Sequence, residues 1–239
     1  MRVIHSIAPP YFSDYFQSHV RKNLPVIIHG LISDWPAYRK WNIEYLKSTI
    51  GDRDINVECG RLLSEGFYTK KMKADRFFES INNTKQDSTN SYYYFAQQRL
   101  DQFPELMCDI NEIELYSSRS KAFDMIWIGP KGTITPLHFD RGNNLLAQVI
   151  GRKRVTLFPP ENSVYLYARD ENDSYSNFSN IDLVSPDYNK YPHFRYAKPI
   201  ECEIKSNDTL YIPKGWWHFV ESEETSISLN FFWQSTHIY

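Results

Sequence analysis

This sequence contains few cysteines and has a small net charge. Its 239 residues include three cysteines, Cys59, Cys108 and Cys202, which lie far apart and show no paired spacing for a zinc site or a disulfide framework. The formal net charge is only −2 at pH 7, whereas non-specific binding of phosphates requires a strong basic field. These features favour a reducing compartment and disfavour nucleic acid as a partner.

Long apolar runs are missing as well. No stretch of about 18 or more apolar residues occurs anywhere in the chain, and the N-terminus has only a short apolar stretch before Pro9 and Pro10. From this we expect a cytoplasmic protein that makes no contact with a membrane.

Glycine is also sparse. The 9 glycines are outnumbered by 13 prolines, while aromatic residues make up 16% of the chain. This profile is typical of many short strands and turns and not of a helical bundle. A chain of this length fits one compact domain, or a core with a modest appendage, and can bury a substantial core. We predict a mainly β protein with helices, of the α+β class.

The order of the predicted elements divides the chain near residue 90. Before it, helices are predicted at 11–21, 42–49 and 75–81, with strands at 25–29 and 55–58. After it, strands dominate, with predictions at 91–97, 123–128, 145–150, 155–158, 209–212, 217–220 and 226–233. We therefore predict a barrel or sandwich core over residues 91–239, on which the helices and strands of residues 1–90 pack.

Residues 161–199 interrupt this series of strands. They are rich in Asn, Asp, Ser, Tyr and Pro and are too long for an ordinary connection. We predict an insert that borders the functional site.

Three side chains indicate a metal site. His138 and Asp140 are two residues apart, and side chains at that spacing on a strand point to the same face. His218 follows a turn built by Pro213 and Gly215 and lies in a later apolar strand. Two histidines and one carboxylate hold one side of a metal ion and leave positions open for a chelating co-substrate and O₂, as in non-haem Fe(II) oxygenases. We predict iron as the metal.

A lysine is placed to bind an anionic co-substrate. In the predicted strand around Lys153, alternation turns this side chain inward while Arg152 and Arg154 face the other way. Because a buried lysine without an anion is costly, Lys153 is predicted to bind a carboxylate.

Neighbouring polar side chains can share this ligand. Hydroxyl groups of Thr135 and of one tyrosine in the run 92–94 can donate to the same carboxylate. Thr135 is out of phase with His138, so it can face the site only if Pro136 introduces a bulge or bend. Asn144 can offer its amide to the metal-bound end of the co-substrate.

Several motifs together resemble one family. They are Pro25-Val-Ile-Ile-His-Gly30, Asp34-Trp-Pro36, Tyr94-Phe-Ala-Gln97, Trp127-Ile-Gly-Pro130, Thr135-Pro-Leu-His-Phe-Asp140, Gln148-Val-Ile-Gly-Arg-Lys153, Leu157-Phe-Pro-Pro160, Pro186-Asp-Tyr188, Tyr211-Ile-Pro213, Trp216-Trp-His218 and Leu229-Asn-Phe-Phe-Trp233. The chain resembles the JmjC-type, cupin-like 2-oxoglutarate oxygenases, in particular the small protein hydroxylases related to the asparaginyl hydroxylase that inhibits hypoxia-inducible factor.

The resemblance implies a double-stranded β-helix, or jelly-roll, core and a site for Fe(II) and 2-oxoglutarate. By this similarity, His138, Asp140 and His218 are the expected metal ligands and catalytic centre. The expected co-substrate residues are Lys153, Thr135, Tyr94, Asn144 and Asn230. Some relatives dimerise through a C-terminal helical pair, and this sequence ends six residues after Trp233. Dimerisation by that route is not expected, and the oligomeric state is left open.

The implied reaction is a dioxygenase reaction that hydroxylates an unactivated C–H bond of a side chain in a protein or peptide. Arg141, Tyr167 and Arg169 are candidates for holding that substrate, and Trp127 is a candidate wall of the site. Three alternatives remain open: N-methyl-lysine demethylation, hydroxylation of a small metabolite or tRNA nucleoside, and a non-catalytic scaffold.

Overall fold

The computed structural model describes residues 4–82, 92–115 and 121–234, in which strands predominate. The strands are β1 His5–Ile7, β2 Val26–His29, β3 Asp54–Cys59, β4 Tyr68–Lys73, β5 Tyr93–Arg99, β6 Lys121–Gly129, β7 Ile134–Phe139, β8 Asn143–Ile150, β9 Arg152–Phe158, β10 Ile200–Lys205, β11 Asp208–Ile212, β12 Trp217–Ser222 and β13 Ser226–Trp233. The α-helices are α1 Phe12–Tyr15, α2 Pro36–Lys40, α3 Ile43–Ile50, α4 Ala74–Asn82 and α5 Pro104–Met107. Short 3₁₀ helices span Leu100–Gln102, Pro160–Tyr165 and Pro192–Tyr196.

Within the described residues, the strands form two sheets. The large sheet has the order β1-β2-β11-β8-β13-β6-β5-β3-β4, and the small sheet has the order β10-β9-β12-β7. Apolar side chains from both sheets, including Leu146 and Leu210 of the large one and Val155 and Leu157 of the small one, form a shared core. All strand pairs except the parallel edge pair β1–β2 are antiparallel, and two facing sheets with this core confirm the predicted double-stranded β-helix.

The other face of the large sheet is covered by the N-terminal helices. Leu46 of α3 and Phe77 of α4 belong to the same buried cluster as Leu145 and Ala147 of β8. Strand β8 is therefore buried on both faces, and its polar residues Asn143, Asn144 and Gln148 are buried together with its apolar ones. No helix in the described part of the chain is long and apolar enough to cross a membrane.

Several element predictions differ from the structure. The helix predicted at 11–21 is α1 followed by a π-helical turn at Phe16–Val20. The strand predicted from Ser91 is β5, which begins at Tyr93, and Ser91 lies outside the described residues. Strands β1, β4 and β10 lie at sheet edges and were missed. Lysines occupy half of the positions of β4, and charged residues alternate along β10, so neither shows the apolar pattern of an interior strand.

The insert is attached to the free edge of the small sheet. The backbone of Phe139 in β7 donates to the Asn177 carbonyl across 3.0 Å, and the Ser179 N–H donates to Leu137 across 2.8 Å. A second bridge joins Ser179 to Ala168, so the chain at 167–169 lies one strand further out. The insert thus extends the small sheet beside the strand that carries His138.

Candidate metal centre and adjoining cavity

Strands β7 and β12 bring three potential ligands together. His138 and His218 are direct cross-strand neighbours, and Asp140 follows the end of β7. The ligand atoms of the three side chains all lie within 4.8 Å of one another. The Asp140 carboxylate oxygens are 3.9 Å from His138 Nε2 and 3.5 Å from His218 Nε2. This group could hold one metal ion.

Backbone carbonyls orient both imidazole rings. Nδ1–H of His138 donates to the Pro136 carbonyl across 2.8 Å, and Nδ1–H of His218 donates to the Trp216 carbonyl across 3.0 Å. With Nδ1 occupied as a donor, the Nε2 lone pair of each ring is free for a metal. The Phe178 ring stacks on His138 with a centroid distance of 4.8 Å and fixes its plane.

Burial favours the uncharged form of His138. Two effects lower the pKa of His138 from its ordinary value of 6.5 to about 4. Desolvation is the larger of the two, and the nearby His218 adds to it. The imidazole is therefore neutral at physiological pH. That is the form required for metal coordination.

Lys153 is a buried cation in the same cavity. It is 3% exposed, and burial lowers its pKa to about 7. No carboxylate in the described part of the chain pairs with it. Its neighbours Arg152 and Arg154 point to the opposite face of β9 and form ion pairs with Glu223 and Glu221. The alternation predicted for this strand is therefore present, and Lys153 faces the cavity without an anion.

A bulge in β7 brings Thr135 to the cavity. Between the pairs His138–His218 and Thr135–Val220, β7 contains two residues and β12 contains one. The extra residue lies at Pro136 or the position after it and brings Thr135 into phase with His138. The Thr135 hydroxyl hydrogen-bonds with that of Tyr94, and burial raises the pKa of Tyr94 well above its usual range. The bend expected at Pro136 is thus observed.

Two asparagines connect the large sheet to Asp140, the acidic member of the candidate metal group. Asn144 of β8 donates from Nδ2 to Oδ2 of Asp140 across 3.2 Å. Asn230 of β13 donates in turn to Oδ1 of Asn144 across 2.9 Å. Both amides line the cavity. Their two hydrogen bonds orient the Asp140 carboxylate.

A wider recess of about 400 Å³ opens from this cavity. His138, Asp140, Trp127 and Phe232 line both spaces. The recess is further lined by Gln97, Phe123, Met125, Arg141, Gly142, Ser174, Tyr175, Asn177, Phe178, Trp233 and Gln234. Its walls are mainly aromatic and amide groups. The indole N–H of Trp127 is buried and has no hydrogen-bond partner among the described residues.

Two candidates for substrate contact lie elsewhere. Tyr167 and Arg169 line neither the cavity nor the recess. Pairing of Ala168 with Ser179 places this segment one strand away from β7. There, Arg169 forms an ion pair of 2.7 Å with Asp173, and the Tyr167 hydroxyl accepts a hydrogen bond from the His193 N–H. Neither side chain therefore faces the recess, whereas Arg141 and Trp127 line it. Contact of Tyr167 or Arg169 with a substrate stays a prediction.

Sequence reasoning also missed aromatic residues of the site. Phe232 follows Asn230 by two positions on β13, so strand alternation could have identified it. Phe178 and Tyr175 lie in the insert, where no strand or helix period is present to predict which side chains face the candidate metal group.

Residues 12–238 match the family model described as a cupin-like domain. The chain belongs to the cupin-like domain family. Similar proteins confirm that this cupin-like domain is of the JmjC type. Lysine-specific demethylase 8 of Xenopus tropicalis is 32% identical over 235 residues, which cover 96% of this chain and 52% of that protein. JmjC domain-containing protein D of Dictyostelium discoideum is 32% identical over 241 residues, with coverage of 92% and 54%.

A third relative carries a different name. The tRNA wybutosine-synthesizing protein 5 of Gallus gallus is 30% identical over 230 residues, which cover 88% of this chain and 70% of that protein. The cupin-like domain thus has relatives with two different named activities. The chain spans about half the length of the first two relatives.

Proposed function

We propose that this protein is an Fe(II)- and 2-oxoglutarate-dependent dioxygenase. The observation that supports this most strongly is the presence, in one cavity, of the His138, Asp140 and His218 group and of a buried, unpaired Lys153. Two nitrogen ligands and one oxygen ligand fit Fe(II). Lys153 fits a co-substrate with a distal carboxylate, because an anion there would offset the cost of burying the ammonium group.

Each part of the cavity has a separate task in this proposal. His138, Asp140 and His218 would hold iron, and Asn144 and Asn230 would keep the carboxylate of Asp140 in place. Lys153, with the hydroxyls of Thr135 and Tyr94, would hold the distal carboxylate of 2-oxoglutarate. When bound, iron and 2-oxoglutarate together supply the oxidising power for hydroxylation of an unactivated C–H bond.

The remaining work of the chain is positioning and exclusion of water. Phe178 and Phe232 form apolar walls beside the metal ligands. Such walls limit solvent access around a reacting centre. The orphan N–H of Trp127 is available to an acceptor on whichever molecule fills the cavity. No side-chain acid or base is required to break the substrate C–H bond.

We further propose that the substrate is a side chain of a protein or peptide. The recess opens to the surface, and among its described lining residues the charged groups are Arg141 and the candidate ligand Asp140. The cationic side chain of an N-methyl-lysine would lie near the cation Arg141, and no carboxylate of the recess other than Asp140 could stabilise its charge. Hydroxylation of a neutral or acidic residue is therefore favoured over demethylation.

A modified tRNA nucleoside is the second candidate substrate. The name of the Gallus gallus relative supports it, as do the aromatic walls formed by Trp127 and Phe232, on which a base could stack. The small net charge argues against it.

Succinate release tests the proposed reaction. Purified protein would be incubated with Fe(II), 2-oxoglutarate and O₂ in the presence of a peptide library or of tRNA, with His138→Ala as the inactive control. We expect succinate from the wild type alone, together with a product that gains one oxygen atom by mass spectrometry. Absence of succinate with every substrate, although 2-oxoglutarate binds, would support the scaffold alternative.

A further inference from the structure

The outer end of the insert exposes aromatic rings in a row. Tyr165 ends one 3₁₀ helix, and His193 and Tyr196 lie three residues apart on the other. The Tyr196 ring is 6.0 Å from Tyr165 and 6.2 Å from His193, between centroids. Residues three apart share one side of a 3₁₀ helix, so His193 and Tyr196 face the same way. Tyr196 is 57% exposed although it has two ring neighbours.

Basic side chains accompany these rings. Residues 188–200 contain Lys190, Arg195 and Lys198 and no Asp or Glu. All three cations are exposed, and none forms an ion pair with a carboxylate in the described ranges. Two acids border this range. Asp187 accepts hydrogen bonds from the backbone N–H groups of Asn189 and Lys190, and Glu201 is exposed on β10. Glu161 lies at the opposite end of its 3₁₀ helix from Tyr165.

We propose that Tyr165, Lys190, His193, Arg195, Tyr196 and Lys198 form a docking surface, here called the insert surface, for an acidic segment of a protein partner. Tyrosine and arginine are enriched at the centres of protein interfaces, because they combine contact area with hydrogen bonds. Carboxylates of the partner would pair with Arg195, Lys190 and Lys198. The tyrosine rings would cover the apolar parts of the same segment.

A peptide fits this surface better than a nucleic acid does. Three cations on a chain with a net charge of −2 would neutralise few phosphates, and binding of a polyanion depends mainly on such neutralisation. Short carboxylate side chains need only local pairing and hydroxyl donors. The rings and cations of the insert surface supply both.

The insert carries both the insert surface and part of the recess wall, at different places. The same insert lines the recess through Ser174, Tyr175, Asn177 and Phe178. The two 3₁₀ helices that carry most of the insert surface pack on the outer face of the small sheet, where Phe194 contacts Phe158 and Trp217 donates to Ser163. His138 and His218 project from the inner face into the cavity, so a partner on the insert surface would be held away from the candidate metal group. Binding itself does not depend on oxygenase activity, so a failure of the proposed function leaves this inference testable.

Fluorescence anisotropy with three labelled probes tests the surface. The probes are a short peptide of Glu, Asp, Leu and Tyr, the same peptide with Gln and Asn in place of its acids, and a single-stranded RNA of similar charge. The variants are Arg195→Glu with Lys198→Glu, and Tyr196→Ser. The matched control is Lys70→Glu with Lys71→Glu, which changes the charge equally on the exposed strand β4.

We expect the acidic peptide to bind the wild type more tightly than the neutral peptide and the RNA. Arg195→Glu with Lys198→Glu should weaken this binding roughly 10-fold or more, and Tyr196→Ser roughly 3-fold to 5-fold. The β4 control should remain within about 2-fold. Tyr196→Ser removes an exposed side chain, so it tests the surface even if the double variant folds poorly.

Four results would overturn the inference. They are no measurable binding of the acidic peptide, equal loss in the β4 control, tighter binding of RNA through the same residues, and concentration-dependent self-association that Tyr196→Ser abolishes. The last two would assign the surface to nucleic acid or to a second copy of the chain.

Discussion

Asn144 donates a hydrogen bond of 3.2 Å to Asp140, the one acidic member of the candidate metal group. Asn230 donates a hydrogen bond to Asn144, and both asparagines belong to the large sheet. The large sheet therefore sets the direction of the Asp140 carboxylate. Asp140, which follows β7 of the small sheet, is thus oriented by asparagines of the large sheet. The geometry of the site depends on the packing of the two sheets.

Asn144→Ala is expected to weaken binding of a divalent metal roughly 10-fold to 100-fold, because it removes the partner that orients Asp140. Titration with Mn(II), followed by electron paramagnetic resonance, measures this change. Asn189→Ala, at an exposed position of the insert, is the matched control and should bind metal as the wild type does. Unchanged affinity in Asn144→Ala would mean that Asp140 needs no such support.

Lys153→Met is expected to weaken 2-oxoglutarate binding roughly 100-fold while metal binding persists, since only the distal carboxylate loses its partner. Calorimetry with Mn(II) in place of iron separates the two affinities. Arg154→Met changes the adjacent residue, which faces away from the cavity and pairs with Glu221, and should leave 2-oxoglutarate binding within about 2-fold. Similar losses in both variants would contradict the assignment of Lys153.

Lys153 should also make the stability of the ligand-free protein depend on pH. Burial lowers the pKa of Lys153 to about 7 in the folded state, below its ordinary value of 10.5. Between these two pH values the unfolded chain binds the extra proton, so stability rises with pH there. At about pH 7 and below, both states are protonated and the full cost of the buried charge remains.

Chemical denaturation at about pH 7, 8 and 9 measures this effect as a difference from Lys153→Met. The free energy of unfolding of the wild type, relative to the variant, should rise with pH by at most about 1.4 kcal/mol per unit. A flat difference would show that the folded protein keeps Lys153 charged throughout.

Gly151 connects β8 to β9 and is expected to tolerate no side chain. Its φ is +77°, and a Cβ added there would lie 2.2 Å from the Thr225 carbonyl oxygen. Gly151→Ala should therefore lower the free energy of unfolding by about 2–4 kcal/mol, through both backbone strain and the clash. Gly132 has a φ of +88° with no atom within 4 Å of its added Cβ. Gly132→Ala should cost only about 1 kcal/mol, and urea denaturation compares the two. Equal losses of unfolding free energy in the two variants would exclude the contact with the Thr225 carbonyl as a cause of the destabilisation.

Much of the site could be predicted because it lies on strands. Alternation placed Lys153 inward and its two arginine neighbours outward, and the spacing of His138 and Asp140 required a common face. Thr135 required a bulge, and Pro136 indicated where it would be. In each case a local rule of strand geometry acts on a short segment.

The insert could not be predicted in the same way. Phe178 reaches His138, and Tyr167 is turned away, because of a backbone ladder between segments that have no periodic pattern. Hydrogen bonds between residues such as Phe139 and Asn177 decide which side chains face the recess. They join distant parts of the chain, so propensity and pattern do not specify them.

The attachment of residues 177–179 to β7 limits how this protein can be re-engineered. Adding or deleting one residue next to Asn177 would shift the ladder by one place and turn Phe178 to the opposite face, away from His138. Exchanges of insert sequence between homologues should therefore be joined within the exposed residues 170–172, which precede the ladder and the residues of the recess wall. New specificities are best sought by grafting there, with the ladder kept intact.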